Sequence, residues 1–405
     1  MSEQSKPVQS ENNNELATNE TQVGPVTVRS LRELIDLVSG RNLKTNAVQE
    51  ESGIAEVLPF PFLGLVGQTE MKLALLLSIV NPAVGGVLLI GPRGTGKTTT
   101  VRSLLDLLPE VKRSACFYGC MPEDIENGGI EAVCPDCARK YAEGKPLTIT
   151  DRVRLAELPL NAKLEDVIGG LDERAVIHER YRLKRGILSN ADQNILYVDE
   201  VNLLSDDIID AILDAAAQGT YTVRRGPVSA TYKARFIFIG SMNPEEGSLR
   251  PQIMDRFGLR VIVSGLVESK DRLEAYKRTS VYKLNPHKLI NEFAAETELV
   301  QSELQTARNA IPKIELPEEV AAKGINLIRR LEIDSLRAEI TLFEAAKAYA
   351  AIDGRSKVEL SDLQAIAPMA LRLRRSIFMS KYFNERKEED TLLNSTLDQL
   401  FPKDE

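Results

Sequence analysis

The stretch GPRGTGKT, residues 91–98, decides how the rest of the chain is interpreted: Gly91, Pro92, Arg93, Gly94, Thr95, Gly96, Lys97 and Thr98. It matches the pattern G-x-x-x-x-G-K-[ST], in which glycine-rich backbone wraps a phosphate chain. The preceding apolar run, residues 85–90, predicts a short buried strand, and the leucines and valine of residues 97–108 recur at helical spacing. The strand, loop and helix together predict a phosphate-binding loop that opens a helix.

Each part of this loop has a physical task. Backbone N–H groups and the helix dipole point at the phosphates, Lys97 reaches the outer phosphates, and the Thr98 hydroxyl can hold magnesium. A chance glycine-rich turn is the alternative, and the flanking strand and helix argue against it. The loop therefore predicts ATP and Mg²⁺ as cofactors.

A second apolar run, residues 195–198, ends at the acidic pair Asp199 and Glu200. Phosphoryl transfer from a P-loop needs a carboxylate near the metal and a group that orients the attacking water. We expect Asp199 to bind in the magnesium shell and Glu200 to polarise the water. An acidic pair that only caps a helix is the alternative, which the P-loop disfavours.

A third apolar run, residues 235–240, predicts a neighbouring strand, and Asn243 follows it. The Asn243 amide can contact the γ-phosphate or the attacking water. Without the other motifs, an asparagine before Pro244 is more often part of a turn. Together with them, a role at the nucleotide is favoured.

Composition limits what the rest of the chain can be. Its 405 residues exceed the usual size of one domain, no apolar run approaches the length of a membrane span, and 51 basic against 59 acidic residues give a net charge of -8. An acidic chain is unlike a dedicated polyanion binder, so neither a membrane nor a nucleic-acid partner is expected. The polar, acidic N-terminus resembles neither a signal nor a transit peptide, and the few cysteines fit a reducing cytoplasm.

The loop, the acidic strand ILYVDEVNLL and the block GSMNPEEGSLRPQIMDRFGLRV together resemble the small AAA+ ATPase subunit of magnesium chelatase. The resemblance covers about residues 59–375. It implies that Asn243 is the first sensor, that Arg256 is an arginine finger inserted into the neighbouring subunit's site, and that Arg337 is the second sensor. A surface ion pair is the alternative for either arginine.

The resemblance also implies a function and partners. The chain would form a ring, often hexameric, that couples ATP hydrolysis to insertion of Mg²⁺ into protoporphyrin IX in chlorophyll or bacteriochlorophyll biosynthesis. It would work with an AAA+ subunit that carries an integrin-like domain and with a large porphyrin-binding subunit. With only His178 and His287, it is not expected to bind the porphyrin itself. A MoxR-like chaperone with another client would share the same nucleotide motifs.

The predicted fold class is α/β: a P-loop AAA+ domain with a parallel sheet, followed by an all-helical lid domain. The β-branched runs vanish from about Ser269, and Ala, Leu, Glu, Lys and Arg dominate afterwards. The predicted division is a disordered tail over 1–55, the ATPase domain over 56–268 with a cysteine-rich insertion near 116–137, the lid over 269–383 and a flexible tail over 384–405.

The cysteines form two short-spaced pairs, Cys116 with Cys120 and Cys134 with Cys137. Such knuckles let four thiolates converge on zinc. Redox-active disulfides and simple reduced thiols are the two alternatives.

Four basic residues, Arg224, Arg225, Lys233 and Arg235, belong to a predicted hairpin. A basic hairpin in a ring pore is the feature of a nucleic-acid motor, and this is the rival function from a different class. A solvated hairpin is the commoner case, and the acidic chain has no separate DNA-binding module.

Overall fold

The computed structural model describes residues 58–108, 110–116, 118–171, 183–225 and 228–375. Both predicted tails and His178 lie outside these residues. The strands are β1 (Val87–Ile90), β2 (Glu110–Ser114), β3 (Thr148–Arg152), β4 (Leu155–Leu158), β5 (Gly169–Leu171), β6 (Leu183–Arg185), β7 (Ile195–Val198), β8 (Thr220–Arg225), β9 (Val228–Lys233), β10 (Ile237–Met242) and β11 (Leu259–Ile262).

The α-helices are α1 (Thr69–Val80), α2 (Lys97–Ser103), α3 (Pro122–Gly128), α4 (Pro135–Ala142), α5 (Leu164–Ile168), α6 (Ile187–Asn190), α7 (Asp206–Gln218), α8 (Pro251–Arg256), α9 (Ser269–Leu284), α10 (Pro286–Glu292), α11 (Ala294–Ala310), α12 (Glu318–Arg330), α13 (Leu336–Ile352) and α14 (Leu360–Leu371). Among the described residues, none of these helices has both the length and the apolarity needed to cross a membrane.

Five strands form one parallel sheet in the order β11-β1-β10-β7-β4. Every residue of β1, β7 and β10 is buried, as expected for strands covered by helices on both faces. The predicted parallel α/β fold is confirmed. Because all five strands run the same way, their carboxyl ends lie at one edge of the sheet.

Two element ends differ from the sequence-based prediction. The predicted strand over 235–240 lies at Ile237–Met242, because pairing with β1 continues as far as Met242, opposite Ile90. The helix predicted over 97–108 is α-helical only to Ser103, and residues Leu104–Leu107 form a 3-10 turn. Helix ends commonly tighten in this way, and Leu108 is extended before Pro109 because a proline disfavours helical geometry in the residue before it.

Between Ser269 and residue 375, where the described part of the chain ends, the regular elements are helices, as predicted, and they share a hydrophobic core with the sheet. One cluster of buried side chains contains Leu75 and Leu89 from the α/β part together with Leu342 and Ile366 from α13 and α14. The exact domain boundaries stay a prediction.

Arg374 ties the end of the helical part to the segment that precedes β11. Its buried guanidinium donates to the Asp255 carboxylate at 2.8 Å and to the carbonyl oxygens of Phe257 and Gly258 at 3.1 and 2.9 Å. Burial is the largest influence on its pKa and lowers it, and Asp255 partly offsets this. Asp255 also accepts a hydrogen bond from Ser335 at 2.9 Å, so it joins two separate parts of the helical region.

We expect Arg374→Met to lower the free energy of unfolding by about 3 kcal/mol, because it removes a buried cationic partner of Asp255 and the donor to the carbonyl oxygens of Phe257 and Gly258. The neighbouring Arg375 pairs with Glu332 and is 59% exposed, so it serves as the matched control. Arg375→Met should change stability by less than about 1 kcal/mol. Urea unfolding followed by circular dichroism measures both, and equal effects would contradict the structural role of Arg374.

Candidate functional site

The loop between β1 and α2 takes its shape from its glycines. Gly94 and Gly96 have φ of +76° and +86°, a backbone region that residues with side chains rarely adopt. Gly91 is required for space instead, because a Cβ there would lie 2.0 Å from the carbonyl oxygen of Val263. The loop therefore curves around a cavity of about 210 Å³ at the carboxyl edge of the sheet.

Lys97 is almost buried at the base of this cavity. Its Nζ donates to the carbonyl oxygens of Gly91 and Pro92 at 2.6 and 2.8 Å. Burial lowers the pKa of Lys97, and the nearby carboxylates of Asp199, Glu200 and Glu246 act in the opposite direction. A partly desolvated ammonium at the base of a glycine-rich loop is suited to binding phosphate oxygens.

Asp199 and Thr98 lie side by side, with the Thr98 hydroxyl donating to Asp199 Oδ2 at 3.0 Å. Tyr197 Oη donates to the other carboxylate oxygen at 2.9 Å, and the Ser241 hydroxyl also donates to it. Burial opposes ionisation of Asp199, but these hydrogen bonds and the charge of Lys97 outweigh it and hold the pKa below its ordinary value. An ionised carboxylate beside a hydroxyl is the hard oxygen donor set that Mg²⁺ prefers, so both residues fit the predicted metal.

Glu200 follows in a left-handed backbone conformation, with φ 51° and ψ 52°. Such geometry is uncommon for a residue with a side chain and is often found at functional sites. The Glu200 N–H donates to Ser241 Oγ at 3.2 Å, and its carboxylate accepts from Arg93 Nη2 at 3.0 Å. Arg93 also pairs with Glu246 at 2.5 Å, so one loop arginine joins two carboxylates that face the phosphate-binding loop.

Asn243 lines the same cavity, directly after β10. It is 3% exposed, and its Oδ1 accepts from the Glu245 N–H at 3.3 Å, which caps a 3-10 turn over Pro244–Glu246. Asn243 therefore begins a turn before Pro244 and also lines the P-loop cavity, so the two alternatives given by the sequence are compatible. Its contact with a phosphate or water stays a prediction.

Sequence reasoning missed three members of this site: Tyr197, Ser241 and Glu246. Tyr197 and Ser241 support Asp199 from adjacent strands, and their signal was present as polar groups inside the otherwise apolar strands β7 and β10. Glu246 had no comparable signal, because it is one of two consecutive glutamates in a turn.

Arg256 and Arg337 lie elsewhere, together in a second cavity of about 290 Å³. Arg256 ends α8 just before β11, which places it at the amino edge of the sheet, whereas the P-loop lies at the carboxyl edge. The strands between those edges span about 13 Å at ~3.3 Å per residue. Arg256 pairs with Asp214 at 2.6 Å, and Arg337 approaches Asp255 at 3.9 Å. Neither arginine belongs to its own chain's P-loop cavity.

The basic residues of the predicted hairpin are largely paired within the chain. Strands β8 and β9 form the hairpin, and Lys233 pairs with Asp124 at 2.8 Å while Arg235 pairs with Asp192 at 2.9 Å. Arg225 lies 3.7 Å from Glu165. Such pairing leaves little positive charge for a phosphate backbone, and it weakens the nucleic-acid interpretation.

The four cysteines come together outside the nucleotide cavity. The Sγ atoms of Cys116, Cys120, Cys134 and Cys137 all lie within 4.8 Å of one another. None of the four lines the P-loop cavity. The two cysteine pairs therefore lie next to each other, and zinc binding by them stays a prediction.

Comparison with known proteins agrees with this geometry. Residues 84–243 match a family described as an AAA domain, and residues 321–396 match one described as an AAA lid domain. A crystal structure of a chain from Cytophaga hutchinsonii named as an ATPase has a TM-score of 0.51 at 19% identity and covers 89% of this chain and 98% of that one. This likeness extends to the fold alone.

Two curated relatives are much more similar in sequence. The magnesium-chelatase subunit ChlI homolog of Methanocaldococcus jannaschii is 41% identical over 337 residues, which cover 82% of this chain and 90% of the relative. Magnesium-chelatase subunit ChlI of Synechocystis sp. is 38% identical over 318 residues, which cover 78% of this chain and 88% of the relative.

Proposed function

This chain belongs to the magnesium-chelatase I-subunit family of AAA ATPases, and we propose that it is the ATPase motor of a magnesium chelatase. Its reaction couples ATP hydrolysis to insertion of Mg²⁺ into protoporphyrin IX, in the biosynthesis of chlorophyll or bacteriochlorophyll. The observation that carries the proposal is the P-loop cavity, where Lys97, Thr98, Asp199 and Glu200 meet.

The chain's own residues divide the work of hydrolysis. Lys97 exchanges its two carbonyl contacts for outer phosphate oxygens, because phosphate is the stronger acceptor. Thr98 and Asp199, which lie 3.0 Å apart, would hold the Mg²⁺ of the nucleotide, and this ion would supply positive charge to the phosphates. Glu200 orients the attacking water and accepts its proton. Arg93, which donates a hydrogen bond to the Glu200 carboxylate, controls the position of that carboxylate.

Hydrolysis is completed by a second copy of the chain. Arg256 and Arg337 lie at the amino edge of the sheet, so each serves the nucleotide of a neighbour that brings its carboxyl edge against that face. Such head-to-tail contacts can close into a ring, and the family resemblance implies a ring of six subunits. The arginines add permanent charge where the transition state spreads negative charge.

The further partners are two other chelatase subunits. One is the AAA+ subunit with an integrin-like domain, and the other is the large subunit that binds the porphyrin. His287 is exposed on α10, and we assign the porphyrin to the large subunit. A cytoplasmic location is part of this proposal.

The cofactors of this activity are ATP and Mg²⁺, and zinc has no part in its chemistry. Zinc was the third metal or cofactor considered from the sequence, and it concerns only the cysteine cluster. The thiols of this cluster do not line the P-loop cavity.

The experiment is reconstitution of the purified chain with the porphyrin-binding and integrin-domain subunits, with protoporphyrin IX, Mg²⁺ and ATP. We expect magnesium-porphyrin fluorescence to rise only when all three subunits and ATP are present. A chain carrying Glu200→Gln is the control that assembles without turnover. An active ATPase that never yields magnesium porphyrin would favour a MoxR-like role with another client.

A further inference from the structure

The cysteine-rich segment has only a very small hydrophobic cluster of its own. Between Ala115 and Leu147, α3 buries no residue and α4 buries only Cys137. The buried members of the local cluster are Cys120, Cys137 and Leu147, so two of three are cysteines. A segment this short cannot bury enough apolar surface to hold its fold, and small units of this kind commonly depend on a disulfide or a metal.

The thiols are arranged as the four ligands of one metal ion would be. A tetrahedral zinc with Zn–S bonds of about 2.3 Å places its sulfur atoms about 3.8 Å apart. The four Sγ atoms lie within 4.8 Å of one another, and all four cysteines are free. Two separate redox pairs would need only the two sulfurs of each pair to be close, whereas here all four sulfurs are close to one another.

Backbone N–H groups point at two of these sulfurs. Cys116 Sγ accepts from the N–H groups of Tyr118 and Cys120 at 3.3 and 3.2 Å, and Cys120 Sγ accepts from the Cys134 N–H at 3.4 Å. The last of these bonds also joins the first cysteine pair to the second.

We propose that Cys116, Cys120, Cys134 and Cys137 bind one structural Zn²⁺ ion that folds residues 115–147. All four coordination positions are protein thiolates, so the site is closed and has no open position for catalysis. Binding converts four thiols to thiolates and releases their protons to solvent. The site is independent of the proposed ATPase function.

The zinc module, residues 115–147, also fixes the base of the β8–β9 hairpin. Arg235, which follows β9, donates from Nη2 to the carbonyl oxygen of Gly119 at 3.2 Å. A separate contact joins the module to β6, where Arg185 Nη2 donates to the carbonyl oxygen of Cys116 at 2.8 Å. Lys233, at the end of β9, pairs with Asp124 in α3 at 2.8 Å. These contacts start from backbone and side chains adjacent to the thiols, so loss of the metal should loosen the hairpin as well as the module.

The first test measures metal in the full-length chain, purified without a polyhistidine tag and without added chelator. Inductively coupled plasma mass spectrometry should find about one zinc per chain. Cys137→Ser should lower this several-fold, whereas Asp136→Ser should retain it. Asp136 is the matched control because it is exposed and lies in the same turn, between two of the proposed ligands.

A second measurement covers the case in which Cys137→Ser fails to fold. Wild-type chain is reduced, stripped of metal and titrated with Co²⁺ in the absence of nucleotide. We expect thiolate-to-cobalt charge-transfer bands and the intense visible bands of tetrahedral cobalt, both reversed by Zn²⁺. Limited trypsin digestion should cleave the module and hairpin faster in the stripped chain than after Zn²⁺ is restored.

Three results overturn the proposal. One is a folded chain without zinc that also takes up no Co²⁺ after reduction, and another is iron in place of zinc. The third is intact mass spectrometry showing two disulfides in the purified chain, which would support the redox alternative. ATPase activity is measured separately, so an inactive chain that binds zinc would contradict only the proposed function.

Discussion

Glu200→Gln is expected to reduce ATP hydrolysis at least about 10²-fold while ATP affinity changes little, because a general base contributes roughly 10²–10⁴ to a rate. Glutamine keeps the size of the side chain and an oxygen that can accept from Arg93, as the Glu200 carboxylate does at 3.0 Å. What it loses is the negative charge that polarises water. Single-turnover hydrolysis and equilibrium binding of a fluorescent ATP analogue measure the two effects.

Lys97→Ala is the matched comparison, with the opposite balance. It removes a buried ammonium whose charge is directed at the phosphates, and a charge-assisted hydrogen bond is worth about 1.5–3 kcal/mol. We therefore expect nucleotide affinity to fall about 10–100-fold or more, and turnover with it. Equal losses of affinity in the two variants would remove Glu200 from the catalytic role.

The chemistry of the P-loop cavity could be predicted where neighbours in sequence are also neighbours in space. The loop over residues 91–98 and the acidic pair after β7 are each continuous, so pattern alone identifies Lys97, Thr98, Asp199 and Glu200. The carboxyl ends of parallel strands then bring the loop and the pair to one edge. The structure adds the 3.0 Å contact between Thr98 and Asp199.

The support around Asp199 could not be predicted in the same way. Ser241 reaches Asp199 only because β10 pairs with β7, and a single sequence does not specify the order of strands in a sheet. The predicted end of β10 at Gly240 is wrong by two residues, because the strand continues through its pairing with β1. Glycine and serine are typical of turns, yet here both are buried strand residues between β1 and β7.

The arginines follow a third pattern. Arg256 and Arg337 were placed by resemblance to a motif, and their shared cavity results from helices packing across the amino edge of the sheet. Only two residues separate Arg256 from β11, and this spacing indicates that Arg256 lies at the amino edge of the sheet. A residue just before a parallel strand lies at the edge opposite to the P-loop, which follows a strand. Sequence spacing alone does not show that Arg337 joins it.

Arg256→Ala is expected to leave ATP binding and assembly intact yet lower hydrolysis about 10³–10⁵-fold, the usual worth of an arginine finger. The Arg256 side chain is 30% exposed, and within its own chain it pairs with Asp214, so the substitution should disturb the fold little. Arg139→Ala is the control for a plain surface arginine, since Arg139 is 69% exposed and pairs with Asp136 at 3.0 Å. That variant should keep wild-type hydrolysis.

Mixing two inactive variants separates action on a neighbour from action within the chain. Arg256→Ala retains an intact P-loop, and Lys97→Ala retains an intact Arg256. In rings formed from equal amounts, about a quarter of the interfaces pair a good P-loop with a good arginine, so hydrolysis should partly return. Arg256 lies at the amino edge and Lys97 at the carboxyl edge of the same sheet, so no single chain can restore this pair.

Native mass spectrometry must first establish that mixed rings form. Mixed rings with no activity above either parent would count against an Arg256 that acts on its neighbour, unless hydrolysis requires every site in the ring. Titrating wild type with Arg256→Ala resolves that exception. Independent interfaces give a linear decline in activity, because each variant subunit silences one site. A concerted ring gives a steep decline, because one missing arginine then stops all the sites.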